Sequence, residues 1–482
     1  MTMRVGLAVL LCLAPCTASA QTPPTTGDVA AAPLTLAEVL RISARAAPQI
    51  VEQLARIRQA EGRALAAEGA FDTVFDVDGR SRALGYYDGS VVEGRATRPF
   101  TDNGGYAYGN YRVSRGSFPI YEDQYYTNRA GELKVGVLYA LLRDRLVDER
   151  RTRRTLAAGD LDLARFEANA VAIGVQRRTI DAYQNWVATG LRLRAYRDLL
   201  ALTESRRGAI ARQVELGARP QILLTENEQN LVRRRALVVR AEGDFQTAAN
   251  ALSLYLRDEN GEPLVVGAER LPADADALGG VASVASVEAD ALAARRPDIQ
   301  TVLARIDQSL LRLAQAENEL KPRLDLRGEL GKDVGPEGLG GSSRTPLEAI
   351  VGFRFSVPLQ NRAAKGRVAE ARAEMDALNA RGRFLRDQVA VEVEGITIAL
   401  GAAERLAEAA EQERVLAERL AEGERRRFAL GSSDFFLVNQ REDTANDARV
   451  RLIDAQARIA AARAELAAAT ADRVALGLQP QD

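Results

Sequence analysis

An internal duplication constrains the fold more than any other feature of this sequence. Residues 216–224 match residues 430–438 in pattern at an offset of 214, and residues 135–137 match residues 351–353 at an offset of 216. Self-similarity at a nearly constant offset indicates a repeated structural unit. The chain is therefore predicted to build the same set of elements twice, from units of a little over 200 residues.

Each unit contains an unusually long helical stretch. No proline occurs from about 148 to 215 or from about 362 to 429, and Ala, Leu, Arg, Glu and Gln dominate both stretches. Nearly 70 helical residues extend roughly 100 Å, far more than a compact domain needs. After each Leu-Gly turn, apolar residues recur every seven positions, which an ordinary soluble coiled coil would explain equally well. The predicted long helices are about 148–215, 221–256, 360–429 and 434–475.

Two strand-like segments precede each long helix. In the last of them, apolar side chains alternate with Gly352, Arg354 and Ser356. This alternation is typical of a membrane β-strand, although a half-buried strand of a soluble sheet shows it too. The predicted strands are about 70–80, 131–142, 322–331 and 348–358. The residues predicted to face lipid are Val351, Phe353, Phe355 and Val357.

Four strands cannot close a membrane barrel alone, because an open edge leaves backbone groups unpaired in lipid. Two copies would supply eight strands and three would supply twelve, and the count does not choose between them. The glycine- and tyrosine-rich stretch at 86–139 suits an outer loop or an interfacial aromatic belt. The predicted organisation is a first repeat at 21–256, a connector at 257–287, a second repeat at 288–477 and a C-terminal tail at 478–482.

The N-terminus has the three parts of a secretory signal peptide at residues 1–20. Arg4 precedes an apolar run at 5–14, and small residues end at Ala20, where we expect cleavage. A lipoprotein signal ending at Cys16 is the alternative. Cleavage after Ala20 would remove Cys12 and Cys16, the two cysteines of the sequence.

Composition argues against an enzyme. The mature chain would have no thiol, and the sequence contains no histidine, which excludes Cys or His nucleophiles and the usual zinc sites. A carboxylate pair for sugar cleavage usually lies in an aromatic cleft, yet Trp186 is the single tryptophan. We therefore expect no catalytic residue, no cofactor and no metal. A formal net charge of −1 gives no reason to expect nucleic acid.

Four short motifs in order along the chain resemble the TolC-type outer-membrane efflux and secretion protein family. The most specific is RRPDI at residues 295–299, followed by LKPRL at 320–324. The others are VPL at 357–359 and LTLAEVL at 34–40. The resemblance covers nearly all of the mature chain.

The resemblance implies a mainly helical protein with a membrane β-barrel portion, in which the unit helix, strand, strand, long helix, helix occurs twice. Three copies would form one twelve-stranded barrel in the outer membrane, joined to a twelve-helix α-barrel in the periplasm. The implied partners are outer-membrane lipid, a periplasmic adaptor protein and an inner-membrane transporter. The turns implied to meet the adaptor are Leu216, Gly217, Leu430 and Gly431.

The predicted function is passive export of small molecules or proteins, through a tripartite efflux or type I secretion system. Family members often carry Asp on the helix after the second turn, where this chain has Phe435 and Phe436. Nearby carboxylates that could instead form a charged constriction are Glu226, Glu228, Asp434, Glu442 and Asp443. A solvated charge on the outer face is the alternative for each. A periplasmic or surface coiled-coil scaffold is the alternative function.

Overall fold

The computed structural model describes residues 32–279, 292 and 295–478. The predicted signal peptide, with Cys16, and part of the predicted connector lie outside the described residues. Helices dominate the described part, as the sequence predicted, and the sheet is antiparallel. The helices are α1 (Leu36–Ala46), α2 (Pro48–Glu68), α3 (Glu149–Glu215), α4 (Ile222–Leu252), α5 (Pro297–Glu319), α6 (Arg362–Ala429) and α7 (Phe435–Ala469).

The start of α3 and the ends of the two longest helices, α3 and α6, have clear local reasons. The Asp148 carboxylate accepts a hydrogen bond from the Arg151 amide at 3.0 Å, which caps the start of α3. α3 has 67 residues and α6 has 68, so each is about 100 Å long. Both end immediately before a Leu-Gly turn, so the duplication is visible in the helices themselves.

The sheet has six strands that follow one another in chain order, each antiparallel to the next. The strands are β1 (Val74–Ser81), β2 (Ser90–Pro99), β3 (Tyr106–Arg115), β4 (Glu132–Ala140), β5 (Arg323–Asp333) and β6 (Glu348–Ser356). β1, β4, β5 and β6 lie within or close to the four segments with sequence alternation. The pairing of β4 with β5 joins the two repeats into one sheet.

β2 and β3 correct the sequence prediction, which assigned their segment to a loop. Their outward faces carry Gly94, Ala96 and Gly109, residues too small to give a clear apolar alternation. A turn at residues 100–105 connects them, with the Phe100 amide donating to the Gly105 carbonyl at 3.1 Å. The predicted count of four strands per chain is therefore wrong, and three copies would contribute eighteen strands rather than twelve.

The main hydrophobic core lies at mid-length of the long helices, around the fully buried Trp186 of α3. Its indole ring lies 6.1 Å from the ring of Phe245 on α4, and α7 also lines the core. The Tyr183 hydroxyl donates to the Leu34 carbonyl at 2.9 Å, which holds the entry to α1 across α3. Burial raises the pKa of Tyr183 to about 12. This core connects the first repeat to the last helix of the second.

Candidate functional site

The two turns at the far ends of the long helices have the same geometry. Gly217 has φ +67° and Gly431 has φ +75°, a conformation that L side chains rarely adopt. The Gly217 amide donates to the Val214 carbonyl at 2.9 Å, and the Gly431 amide donates to the Phe428 carbonyl at 3.0 Å. The next amide in each turn reaches the carbonyl five residues back, as in the helix-ending motif that glycine favours. The repeat is thus preserved hydrogen bond by hydrogen bond.

Both turns present a leucine to solvent. Leu216 and Leu430 are each 83 % exposed. The two turns also lie side by side, because the guanidinium of Arg219 after the first turn lies 5.2 Å from the ring centre of Phe428 before the second. One end of the helical bundle therefore carries two equivalent exposed leucines.

The predicted carboxylate Glu442 lies in a buried cluster of charges behind these turns. Its side chain is 1 % exposed and contacts Arg206 of α3, Arg234 of α4 at 3.4 Å and Arg425 of α6 at 3.5 Å. Asp443 pairs with Arg234 at 2.8 Å. We call these five residues the tip charge cluster. It connects all four long helices about one to three helical turns from their ends.

Glu442 is therefore already neutralised within its own chain, and it has no free carboxylate to offer a passing cation. The sequence analysis missed the arginines of the cluster. Arg234 could have been found, since it lies three residues after the heptad leucine Leu231, a core-facing position where a charge needs a partner.

The other predicted carboxylates lie nearer the surface. Glu228 is exposed and pairs with Arg207 at 3.4 Å. Asp434 is exposed and caps α7 by accepting from the Phe436 amide at 3.3 Å. Glu226 is half-buried, and among the described residues neither it nor Asp434 has an ion pair. A constriction formed by these carboxylates stays a prediction.

One face of the sheet is apolar and open to solvent. Val351 is 79 % exposed, Phe353 78 % and Phe355 57 % on β6, and Val357 beyond its end is 46 % exposed. The same face continues across the strand pairs through β5 and β4 and, beyond β3 and β2, reaches β1. Its further members are Leu326, Leu330, Leu133, Val135, Val137, Phe75 and Val77. Water disfavours such a continuous apolar patch, whereas lipid or a partner surface favours it.

The opposite face carries charges that pair across strands. Glu132 of β4 contacts Arg112 of β3 and Lys134, which is 3.0 Å away. Lys134 reaches Glu329 of β5 at 3.6 Å, and Arg327 lies 2.7 Å from Glu329. Alternation of an apolar and a charged face, clear on β1, β4, β5 and β6, is the pattern of a sheet between lipid and a polar lumen.

None of the helices in the described ranges combines the length and apolar composition that a helix needs to cross a bilayer. Within residues 32–279 and 295–478, no three Asp, Glu, Cys or His side chains lie close enough together to hold a metal ion.

Two helices about 100 Å long, continuous with a sheet whose exposed face is apolar, form a fold that is also found in solved outer-membrane channels. Solved structures of such channels are similar to the described chain along most of its length. The Campylobacter jejuni CmeC outer membrane channel has a TM-score of 0.61 and 13 % identity, over 93 % of this chain and 87 % of that one. The open-state Neisseria gonorrhoeae MtrE outer membrane channel has a TM-score of 0.63 and 14 % identity, over 92 % of this chain and 89 % of that one. The Vibrio cholerae outer membrane protein VceC has a TM-score of 0.59 and 16 % identity, over 90 % of this chain and 95 % of that one.

The sequence model of the family described as "Outer membrane efflux protein" matches residues 289–472, which is nearly the whole second repeat. No curated protein sequence matches the chain. The predicted resemblance to the TolC-type outer-membrane efflux protein family is confirmed. The family model describes an outer membrane efflux protein, and the similar structures of CmeC and MtrE are outer membrane channels.

Proposed function

We propose that this chain is the outer-membrane subunit of a passive export channel, belonging to a tripartite efflux or type I secretion system. The observation that carries the proposal is the exposed apolar face of the sheet, directly continuous with helices long enough to reach far into the periplasm. A soluble coiled-coil scaffold has no use for Phe353 and Phe355 exposed side by side on one strand face. The sheet would lie in the outer membrane and the helices in the periplasm.

The partners follow from the two ends of the molecule. Three copies would close the sheet and arrange their twelve long helices into one tunnel. Leu216, Gly217, Leu430 and Gly431 would contact a periplasmic adaptor, which in turn connects to an inner-membrane transporter. Exposed leucines beside a bare glycine backbone suit the apolar contact of another helical hairpin.

Replacing Phe353 and Phe355 together with Asp tests membrane insertion. On the lipid face at mid-depth, Arg or Lys costs about 2–4 kcal/mol and Asp costs less. Each substitution also removes a phenyl ring from lipid, so the double variant should disappear from the outer-membrane fraction. The matched control is Gly352→Asp on the opposite face of the same strand, where an added side chain meets no atom within 4 Å. The proposal is contradicted if the double variant and the control reach the outer membrane equally.

Leu216→Glu and Leu430→Glu, singly and together, test the contact with the adaptor. Each removes an exposed apolar contact, so the single variants should weaken export and the double variant should abolish it, while the amount of channel in the outer membrane stays constant. Gln213→Glu, an exposed residue one turn earlier, adds the same charge without removing a leucine and should leave export unchanged. Full export by the double variant would exclude these turns as the contact.

A further inference from the structure

We propose that β1 of one copy pairs with β6 of the next, with Asp76 opposite Arg354, so that three copies form an eighteen-stranded barrel. This inference rests on the proposed function and makes it more specific. The family resemblance implies a barrel of twelve strands. A barrel of eighteen strands would give a wider pore through the outer membrane.

The two edges of the sheet are suited to each other. β1 has 8 residues and β6 has 9, and each has one side without a partner strand. β1 runs away from the helices and β6 runs toward them, so β1 and β6 of adjacent copies are antiparallel, as every other pair in the sheet is. An unpaired edge in lipid is very costly, so the edges must meet.

The charges on the two edges are complementary. Asp76 and Asp78 lie on the charged face of β1, and Arg354 lies on the charged face of β6. All three are exposed, and none has an ion pair among the described residues. Within the chain, Arg95 lies opposite Asp76 and Asp325 lies opposite Arg354, but these two neighbours are already paired with Glu93 and Arg323. Most other charges on this face are already paired within the chain. Asp76 and Arg354 each lie two residues from the helix-proximal end of their strand, so pairing the strands flush brings them opposite each other.

The same register gives a barrel of reasonable tilt. Hydrogen-bonded partners lead from Asp76 across the sheet, through Arg95, Asn110, Lys134 and Gly331, to Glu348. With Asp76 opposite Arg354, Glu348 lies opposite residue 82 of the next copy, an offset of 82 − 76 = 6 residues over six strands. At about 3.3 Å per residue and about 4.8 Å per strand, the strands tilt by roughly 35°. Membrane barrels have tilts of about 35–45°.

Apolar residues outside the sheet meet at the same seam. The β1–β2 loop carries Leu84, 95 % exposed, and Tyr86, 93 % exposed. The β5–β6 loop carries Leu339 and Leu347, which are 73 % and 65 % exposed. In the proposed register these two loops belong to neighbouring copies and lie side by side. A second copy of this chain therefore covers side chains that are otherwise exposed to water.

The consequence for transport is a barrel wider than twelve strands would give. Barrel diameter grows nearly in proportion to strand number, so eighteen strands give a backbone diameter of roughly 34 Å against roughly 23 Å for twelve. The helical tunnel, and not the barrel, would then limit the size of the cargo.

Disulfide cross-linking tests the pairing directly, since the mature chain is expected to have no cysteine of its own. Asp76→Cys and Arg354→Cys would be combined in one full-length chain, and outer membranes would be oxidised mildly and separated without reductant. Directly opposed residues on neighbouring strands lie within disulfide range. The expected result is covalent species of up to three copies. The control combines Arg80→Cys with Arg354→Cys, which shifts the register by four residues and should not cross-link.

Other outcomes overturn the inference. Covalent species of no more than two copies would mean a two-copy barrel of twelve strands. Cross-linking of the control pair alone would mean a different register between β1 and β6. A channel that inserts and conducts without either cross-link would remove the inference and leave the proposed function intact. Absence of the protein from the outer membrane would instead remove the proposed function.

Charge removal provides a second measurement that does not depend on oxidation. Asp76→Asn and Arg354→Gln should each lower the temperature at which the assembly dissociates in detergent, because each leaves the opposite charge across the seam without its partner. Neutral replacements are needed, because Arg95 lies opposite Asp76 and Asp325 lies opposite Arg354 within the same chain, and reversed charges would repel these neighbours as well. The double variant should dissociate at about the same temperature as either single variant. If the two single effects add in the double variant, Asp76 and Arg354 are not partners.

Discussion

Removal of the Glu442 carboxylate should open the tip of the helical bundle locally. In Glu442→Ala, Arg234, with a side chain 1 % exposed, loses one of its two carboxylate partners and faces the charge of Arg206, 14 % exposed. Breaking a buried ion pair by removing one partner costs about 3–5 kcal/mol. We expect about 3 kcal/mol, the low end, because Asp443 remains 2.8 Å from Arg234.

Hydrogen–deuterium exchange of the assembled channel in detergent measures this free energy where it is lost. Local opening is read from the protection of backbone amides, residue by residue, without assuming that the whole protein unfolds in one step. A loss of about 3 kcal/mol corresponds to a decrease of roughly 150-fold in protection. It should be confined to the turns of α3, α4, α6 and α7 that pack around residue 442. The core around Trp186 should be unaffected.

Glu228→Ala is the matched control, because it removes a carboxylate from an exposed ion pair in the same part of the bundle. The side chains of Arg207 and Glu228 are 60 % and 50 % exposed, so their pair contributes at most about 0.5 kcal/mol and protection should fall by no more than about twofold. The reasoning is refuted if the two variants reduce protection equally, or if Glu442→Ala changes it by less than threefold.

Three further outcomes are expected. Gly217→Ala should destabilise the first turn by about 1 kcal/mol, because alanine is strained at φ +67°. Gly208→Ala should stabilise α3 by about 1 kcal/mol, because an added Cβ there meets nothing within 4 Å. Amide exchange measures both changes. Tyr183 keeps its proton to a higher pH when folded, so thermal stability should fall as pH rises from about 10 to 12, and Tyr183→Phe should flatten that fall; equal slopes would contradict the assignment. Glu226→Gln combined with Asp434→Asn should lower the preference of the channel for cations in bilayer conductance. Asparagine at position 434 retains the cap of α7. Unchanged selectivity would exclude both carboxylates from the constriction.

The long helices and four of the strands could be predicted because their signals are local and repeated. Continuous stretches without proline specify α3 and α6, and the alternation of Val351, Phe353 and Phe355 with small or charged residues specifies β6. The positive φ at Gly217 and Gly431 also follows from sequence, since a tight helix reversal commonly requires glycine.

The β2–β3 hairpin could not be predicted, for a physical reason. Its outward face relies on Gly94, Ala96 and Gly109, which fit between the larger side chains of neighbouring strands and show no hydrophobic period of their own. Its inward face carries charges that read as a loop until their partners are known. Arg112 is paired with Glu132 of the next strand, a contact between segments that sequence alone does not place together.

The tip charge cluster was hidden for the same reason. Glu442 was identified as a carboxylate near the second turn, but its role depends on arginines more than 200 residues away in the chain, Arg206 and Arg234. Sequence patterns identify which residues are charged, and packing decides which charges meet. The cluster changes the expectation for Glu442 from a lumenal charge to a contact between helices.

Electron cryo-microscopy of the purified mature protein in lipid nanodiscs tests the central claim most directly. The account predicts a hollow assembly of three copies, with eighteen strands inside the lipid belt and a tube of twelve helices extending about 100 Å from it. The claim is contradicted if the particles are solid rods without a lipid belt, as a soluble coiled-coil scaffold would be.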